Sequence, residues 1–174
     1  MVKEYDGKVR VVLKNMVVHP DSVQRGHLAA CAAAKQGKFV QFYKAWWEKA
    51  YKPYAESRGQ SREGMSDDGI MKWAAELGID GAKLKADMDS PECAQRIEAD
   101  QAELAKFRVS GTPAFFINGQ FIGGGMPKEA FKQIIDTKLA EVAKSGVAAN
   151  EYYDKVIMAK GEKQFRSKKQ PKPQ

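Results

Sequence analysis

Two kinds of hydrophobic spacing occupy separate stretches of this chain, and their order limits the folds open to it. Residues 8–18 are rich in β-branched and apolar side chains, with Val9, Val11 and Leu13 alternating. A period of two predicts a strand buried on at least one face. Two more short apolar runs, 114–118 and 120–122, meet at Asn118-Gly119. Asn-Gly between apolar runs is the strongest short signal for a β-hairpin. Between the first strand and this pair the spacing is helical over about 90 residues. Strand, long helical stretch, hairpin and final helix, in that order, predict an α/β fold carrying a helical insertion.

The helical stretch divides at its own punctuation. His19-Pro20 breaks the strand, and Asp21 or Ser22 is placed to cap the Ala-rich segment that runs to Gly37. Phe39, Phe42, Tyr43, Trp46, Trp47 and Ala50 follow at helical spacing, with Pro53 predicting a stop near 51. This aromatic set reads as core, with Trp47 directed off the main apolar face. Residues 55–66 read as a loop. Ile70, Trp73, Ala74 and Leu77 fit the i, i+3, i+4, i+7 pattern before Gly78. Asp80 caps a short helix, and Ser90-Pro91-Glu92 starts another that runs to about Phe107. After the hairpin, Pro127 opens a helix with Phe131, Ile134, Ile135, Leu139 and Val142 on one face, and a last helix is predicted at 149–159.

The chain has 174 residues and a net charge of +7. Residues 160–174 alone carry +5, so the rest is close to neutral. The basic end reads as a solubilising, disordered tail; the sharper reading, an arm for nucleic acid, lacks interleaved aromatics and any accompanying motif. No apolar run reaches the ~18 residues of a membrane span, and residues 1–7 hold no signal-peptide core.

Two cysteines, Cys31 and Cys93, stand 62 apart and form neither a Cys-x-x-Cys nor, with His19 and His27, a zinc pattern. Cys31 lies within Leu28-Ala-Ala-Cys-Ala-Ala-Ala34, a setting for a buried, inert thiol. Cys93 falls in the first turn of the helix after Ser90, where the dipole lowers a thiol pKa. It is the candidate thiol of the chain. Spacing alone leaves open whether the two approach closely enough to form a disulfide.

The segment Val109-Ser-Gly-Thr-Pro-Ala-Phe-Phe-Ile-Asn-Gly119 resembles the cis-proline loop and hairpin of the DsbA-like family of thiol:disulfide oxidoreductases. Gly7 to Asn15 with His19-Pro20 resembles that family's second thioredoxin strand, Gln36-Gly37-Lys38-Phe39 part of its inserted helical domain, and Pro127 to Leu139 its C-terminal helix. The resemblance covers about residues 7–145. It implies a thioredoxin-like part at 1–19 and 105–145 around a helical insertion at 20–104; beyond it, apolar spacing and basic composition predict an extra helix at 146–160 and a disordered tail at 161–174.

In the family a strand and a helix bearing Cys-x-x-Cys precede the segment that starts here at residue 7. The resemblance therefore implies a thioredoxin-like fold lacking its first βα unit, either because the protein starts earlier or because this is a non-redox relative. It implies thiol:disulfide exchange as the family activity, with no residue of this chain at the catalytic position and Cys93 the remaining thiol candidate. It further implies a cis Thr112-Pro113 bond that presents Thr112 and Pro113 to an extended or disulfide-bearing polypeptide, no cofactor or metal, and an extracytoplasmic setting. Without the central strand, unpaired edges predict re-pairing, a strand borrowed from another copy, or aggregation.

Overall fold

Pro20, with φ preset for a helix and no N–H to satisfy, starts the first helix. In the computed structural model, which describes residues 2–167, α1 spans Pro20–Lys35 and His19 sits at its N-cap without a side-chain bond. The caps expected from Asp21 or Ser22 are thus displaced, because proline begins the helix ahead of them. Further along the chain come α2 (Phe39–Ala45), a π-helical stretch (Trp46–Tyr51), α3 (Lys52–Glu56), α4 (Asp67–Glu76), α5 (Gly81–Met88) and α6 (Pro91–Lys106). Then come β1 (Ala114–Ile117), β2 (Gln120–Gly123), α7 (Lys128–Lys144), α8 (Ala149–Tyr152) and a second π-helical stretch (Tyr153–Met158).

The chain divides into two compact units, Lys14–Ala102 and Met1–Leu13 with Glu103–Gln174. The first is all-helical. Leu28, Ala29, Ala32 and Ala33 bury one face of α1, and the small alanines let α5 and α2 approach. Phe42, Ile70, Leu84, Met88 and Ile97 fill the space between, and the rings of Phe42 and Trp73 lie 4.8 Å apart. Gly26 is required here: a Cβ on it would fall 2.4 Å from Trp46 Cη2. Ser66 and Asp80 cap α4 and α5 by accepting from the Gly69 and Lys83 amides. Pro53 does not end the aromatic helix near 51. The turn ahead of it widens into the π-helical stretch, and α3 continues through the proline.

In the second unit, β1 and β2 pair antiparallel with Phe115 opposite Ile122 and Phe116 opposite Phe121. Asn118 and Gly119 both take positive φ, as a two-residue hairpin turn demands. Phe115 packs edge-on against Phe131 of α7, ring centroids 4.8 Å apart, and Ile122 and Ile135 are buried. Tyr5 donates to Asp136 Oδ1 at 2.8 Å, tying residues 2–5 to α7. Within residues 161–167, Phe165 donates its amide to Lys106 O at 2.7 Å and lies beneath the Arg108 guanidinium. The rest of the basic run expected as a tail, 168–174, lies outside the described residues.

The strand expected at 8–18 is not formed. A strand exists by its ladder, and among the described residues the sheet has two strands, β1 and β2. Residues 14–17 instead give backbone donors to side chains of α6: the Asn15 amide to Asp100 Oδ2 at 2.9 Å and the Val17 amide to Gln101 Oε1 at 3.3 Å. Val11, Val12 and Leu13 are exposed. The last helix also differs from expectation: after its first turn it widens into a π-helix over Tyr153–Met158.

Candidate functional site

The loop between α6 and β1 forms the site. The helix ends when Val109 donates back to Leu104 O at 3.2 Å and Arg108 takes a left-handed φ of 56°. The chain then runs through Ser110-Gly111-Thr112 into Pro113, and the Thr112–Pro113 bond is cis. Gly124 closes the loop by donating its amide to Pro113 O at 2.9 Å. Between them lies an open groove of about 380 Å³, lined by residues 108–114 with Phe121, Gly123 and Gly124. Thr112 and Pro113 are exposed on it. Phe116 and Phe121, 43% and 53% exposed, lie beside one another with tilted rings, centroids 5.1 Å apart, on the solvent face of the hairpin.

Thr112 and Pro113, the residues the sequence singles out, line the groove, and its far wall is made of residues the sequence did not mark. Phe121, Gly123 and Gly124 reach the groove only because the hairpin folds β2 back alongside β1. The signal that could have found them is the Asn118-Gly119 turn combined with the register it imposes: Gly123 pairs with Ala114, next to the proline. No Cys, His, Asp or Glu lines the groove. Its polar groups are hydroxyls, backbone amides and carbonyls, and one guanidinium. Such a surface can hold a chain by backbone pairing and aromatic contact.

The cysteines lie elsewhere, in the helical unit. Cys31 of α1 and Cys93 of α6 form a disulfide with Cα atoms 5.8 Å apart, and Cys93 is fully buried. Cys31 is therefore not the free thiol its apolar flanks suggested, and Cys93, the candidate thiol, has its sulfur committed to the same bond. Among the described residues no cysteine is free and no cluster of His, Cys, Asp or Glu could hold a metal.

Two polar clusters support the helical unit. Asp100 accepts from the Asn15 amide, from Asn15 Nδ2 at 2.8 Å and from Lys14 Nζ at 3.1 Å. With Nδ2 so used, Asn15 Oδ1 is left to accept from His27 Nδ1 at 3.0 Å, which sets the imidazole tautomer. Arg25 donates to both carboxylate oxygens of Asp67, at 2.6 and 2.5 Å, and to Asp89 at 3.1 Å. The Asp67 contact, above all, raises the pKa of Arg25, and Arg25 lowers that of Asp67. A second cleft of about 250 Å³ beside α1 takes in Arg25, but that guanidinium is already paired.

A thioredoxin family model matches residues 1–137. The chain belongs to the thioredoxin family. It is also 28% identical over 131 residues to the Na(+)/H(+) antiporter NhaA of Herminiimonas arsenicoxydans, an alignment that takes in 74% of this chain and 18% of that protein. The chain thus spans less than a fifth of that relative's length. No solved structure matches it. Among the described residues of this thioredoxin-family chain, no helix is long and apolar enough to cross a membrane.

Proposed function

We propose that this chain is a DsbA-like member of the family, serving thiol:disulfide exchange by holding an extended polypeptide in the groove beside Thr112 and Pro113. The observation that carries the reading is the groove itself: an exposed loop closed onto the hairpin by the Gly124–Pro113 bond, with Phe121 along one wall. An extended segment laid there pairs through its backbone and sets alternate side chains against Phe121 and Phe116.

Exchange needs an attacking thiolate and a resolving thiol. Both cysteines of this chain are joined to each other in the helical unit, so the chain by itself binds without turnover. A disulfide of this kind persists in an oxidising compartment, in keeping with an extracytoplasmic setting. The second reading, a non-catalytic module that binds peptides for its own sake, is favoured by the lack of any Cys, His, Asp or Glu along the groove.

Insulin reduction and dithiol-peptide oxidation by this chain are expected at the level of buffer alone, while affinity for an extended peptide survives the Cys31→Ser/Cys93→Ser double substitution. Family-level turnover overturns the assignment of the cysteines, and loss of peptide binding in the double variant returns the activity to thiol chemistry at Cys93. Preference for a disulfide-bearing peptide over its serine counterpart supports the exchange role. Equal affinity supports the plain binding module.

A further inference from the structure

Five aromatic side chains run in single file along the surface of the helical unit. Phe39, Tyr43, Trp47, Tyr51 and Tyr54 follow one another at ring-centroid distances of 5.9, 6.1, 4.7 and 6.2 Å. This file is not the core face. Phe42, Ala45 and Ala50 of the same helices are buried, while Tyr43, Trp47 and Tyr51 are 43%, 44% and 38% exposed. The file is straight for a backbone reason. In an α-helix, residues four apart overshoot one turn by about 40°, so an i, i+4 row drifts sideways. Trp47 and Tyr51 lie in the π-helical stretch Trp46–Tyr51, whose wider turn makes four residues fall short of a turn and offsets the drift. Contacts between successive rings, edge-on on both sides of Trp47, hold them in place, so little side-chain entropy is lost when something docks.

A row at i±4 is a ridge, and ridges pack into the grooves beside another helix's ridge. The flank of this one carries a charge pattern. Lys44 and Glu48 each follow a ridge residue, Tyr43 and Trp47, by one position. Both are exposed, and neither has an ion-pair partner among the described residues.

We propose that the ridge is a self-association surface and that its occupant is the same ridge of a second copy, antiparallel about a two-fold axis. An antiparallel two-fold keeps each flank on its own side, so Lys44 of one copy comes opposite Glu48 of the other, twice by symmetry. That register places Tyr43 midway between the second copy's Trp47 and Tyr51, and Trp47 midway between its Tyr43 and Trp47. Interdigitation of the rings and pairing of the charges are met by one alignment. Sliding by one ridge step keeps the rings interleaved but sets Lys44 against Lys44, or Glu48 against Glu48. The charges thus select among sterically equivalent registers. One ridge from each copy makes a small interface, so the dimer depends on concentration.

The test is sedimentation velocity on the full chain from low micromolar to near-millimolar concentration. The wild type is expected to pass from monomer to dimer. Lys44→Glu, which opposes two carboxylates, weakens association by about tenfold. Lys44→Glu/Glu48→Lys restores it to within about threefold of wild type. Trp47→Ala abolishes it, and an unchanged far-UV spectrum with the Cys31–Cys93 disulfide intact shows that the fold has survived. A monomer throughout overturns the proposal. Association that ignores Lys44→Glu, as pairing through the edge of β1 would, also overturns it, as does failure of the double reversal to restore.

Discussion

Asp100 is a carboxylate only 7% exposed, and burial alone would raise its pKa. The hydrogen bonds from the Asn15 amide and side chain, with Lys14, outweigh that and hold it below the usual 3.8. Its contribution to stability is therefore present above that value and lost as pH falls through the lowered folded pKa. His27 is shifted down from 6.5 by burial. Its neutral form is the folded one, so its contribution is present above 6.5 and drains away as pH falls through the lowered value. Thermal melts across pH are expected to show stability declining in two stages, the first below 6.5 and the second below 3.8, and His27→Gln is expected to remove the first stage alone. Asp100→Ala strands two Asn15 donors and is expected to cost about 1–3 kcal/mol in urea denaturation. A loss much smaller than this would show that residues 14–17 are held by something other than Asp100.

The Cys31–Cys93 bond joins the start of α6 to the middle of α1 across a sequence separation of 62. Closing a loop of that length restricts the unfolded chain, and Cys31→Ser/Cys93→Ser is expected to lower stability by about 2–5 kcal/mol by chemical denaturation. The close seat of Trp46 against α1 makes Gly26→Ala an overpacking change, with an expected cost of about 1–3 kcal/mol in the same measurement. These elements were unequally legible in the sequence. The hairpin was plain because Asn118-Gly119 dictates its own turn, and α4 and α5 because Gly78, Asp80 and the apolar spacing act within a few residues; the Ser66 cap of α4 was not marked. The disulfide was not, because it depends on α1 and α6 meeting through packing. Val9-Arg10-Val11-Val12-Leu13 read as a strand because alternation marks a segment that could pair, whereas a ladder also needs a partner. Pro53 read as a stop because a proline's missing donor is a local fact, while the π-helical stretch that carries the helix past it is not. Phe42 and Tyr43 read alike as core aromatics at helical spacing, but Phe42 is fully buried while Tyr43 is exposed alongside Trp47, a division set by which neighbours pack.

At the scale of the molecule, family membership covers residues 1–137 and the chain's chemistry divides between its two units. The helical unit holds the disulfide and the aromatic ridge; the sheet-bearing unit holds the groove, which contains no thiol. Thr112 and Pro113 stood out in the sequence through their flanking motif, whereas the wall made by Phe121, Gly123 and Gly124 required the fold. Under the proposed function, this groove is expected to receive an extended polypeptide. Amide chemical-shift mapping on the isotope-labelled chain, titrated with a reduced, unfolded polypeptide, tests it most directly. Shifts are expected to concentrate at residues 108–116 and 121–124, and to be lost in Phe121→Asp. Shifts confined to other surfaces, or none at saturating polypeptide, would contradict it.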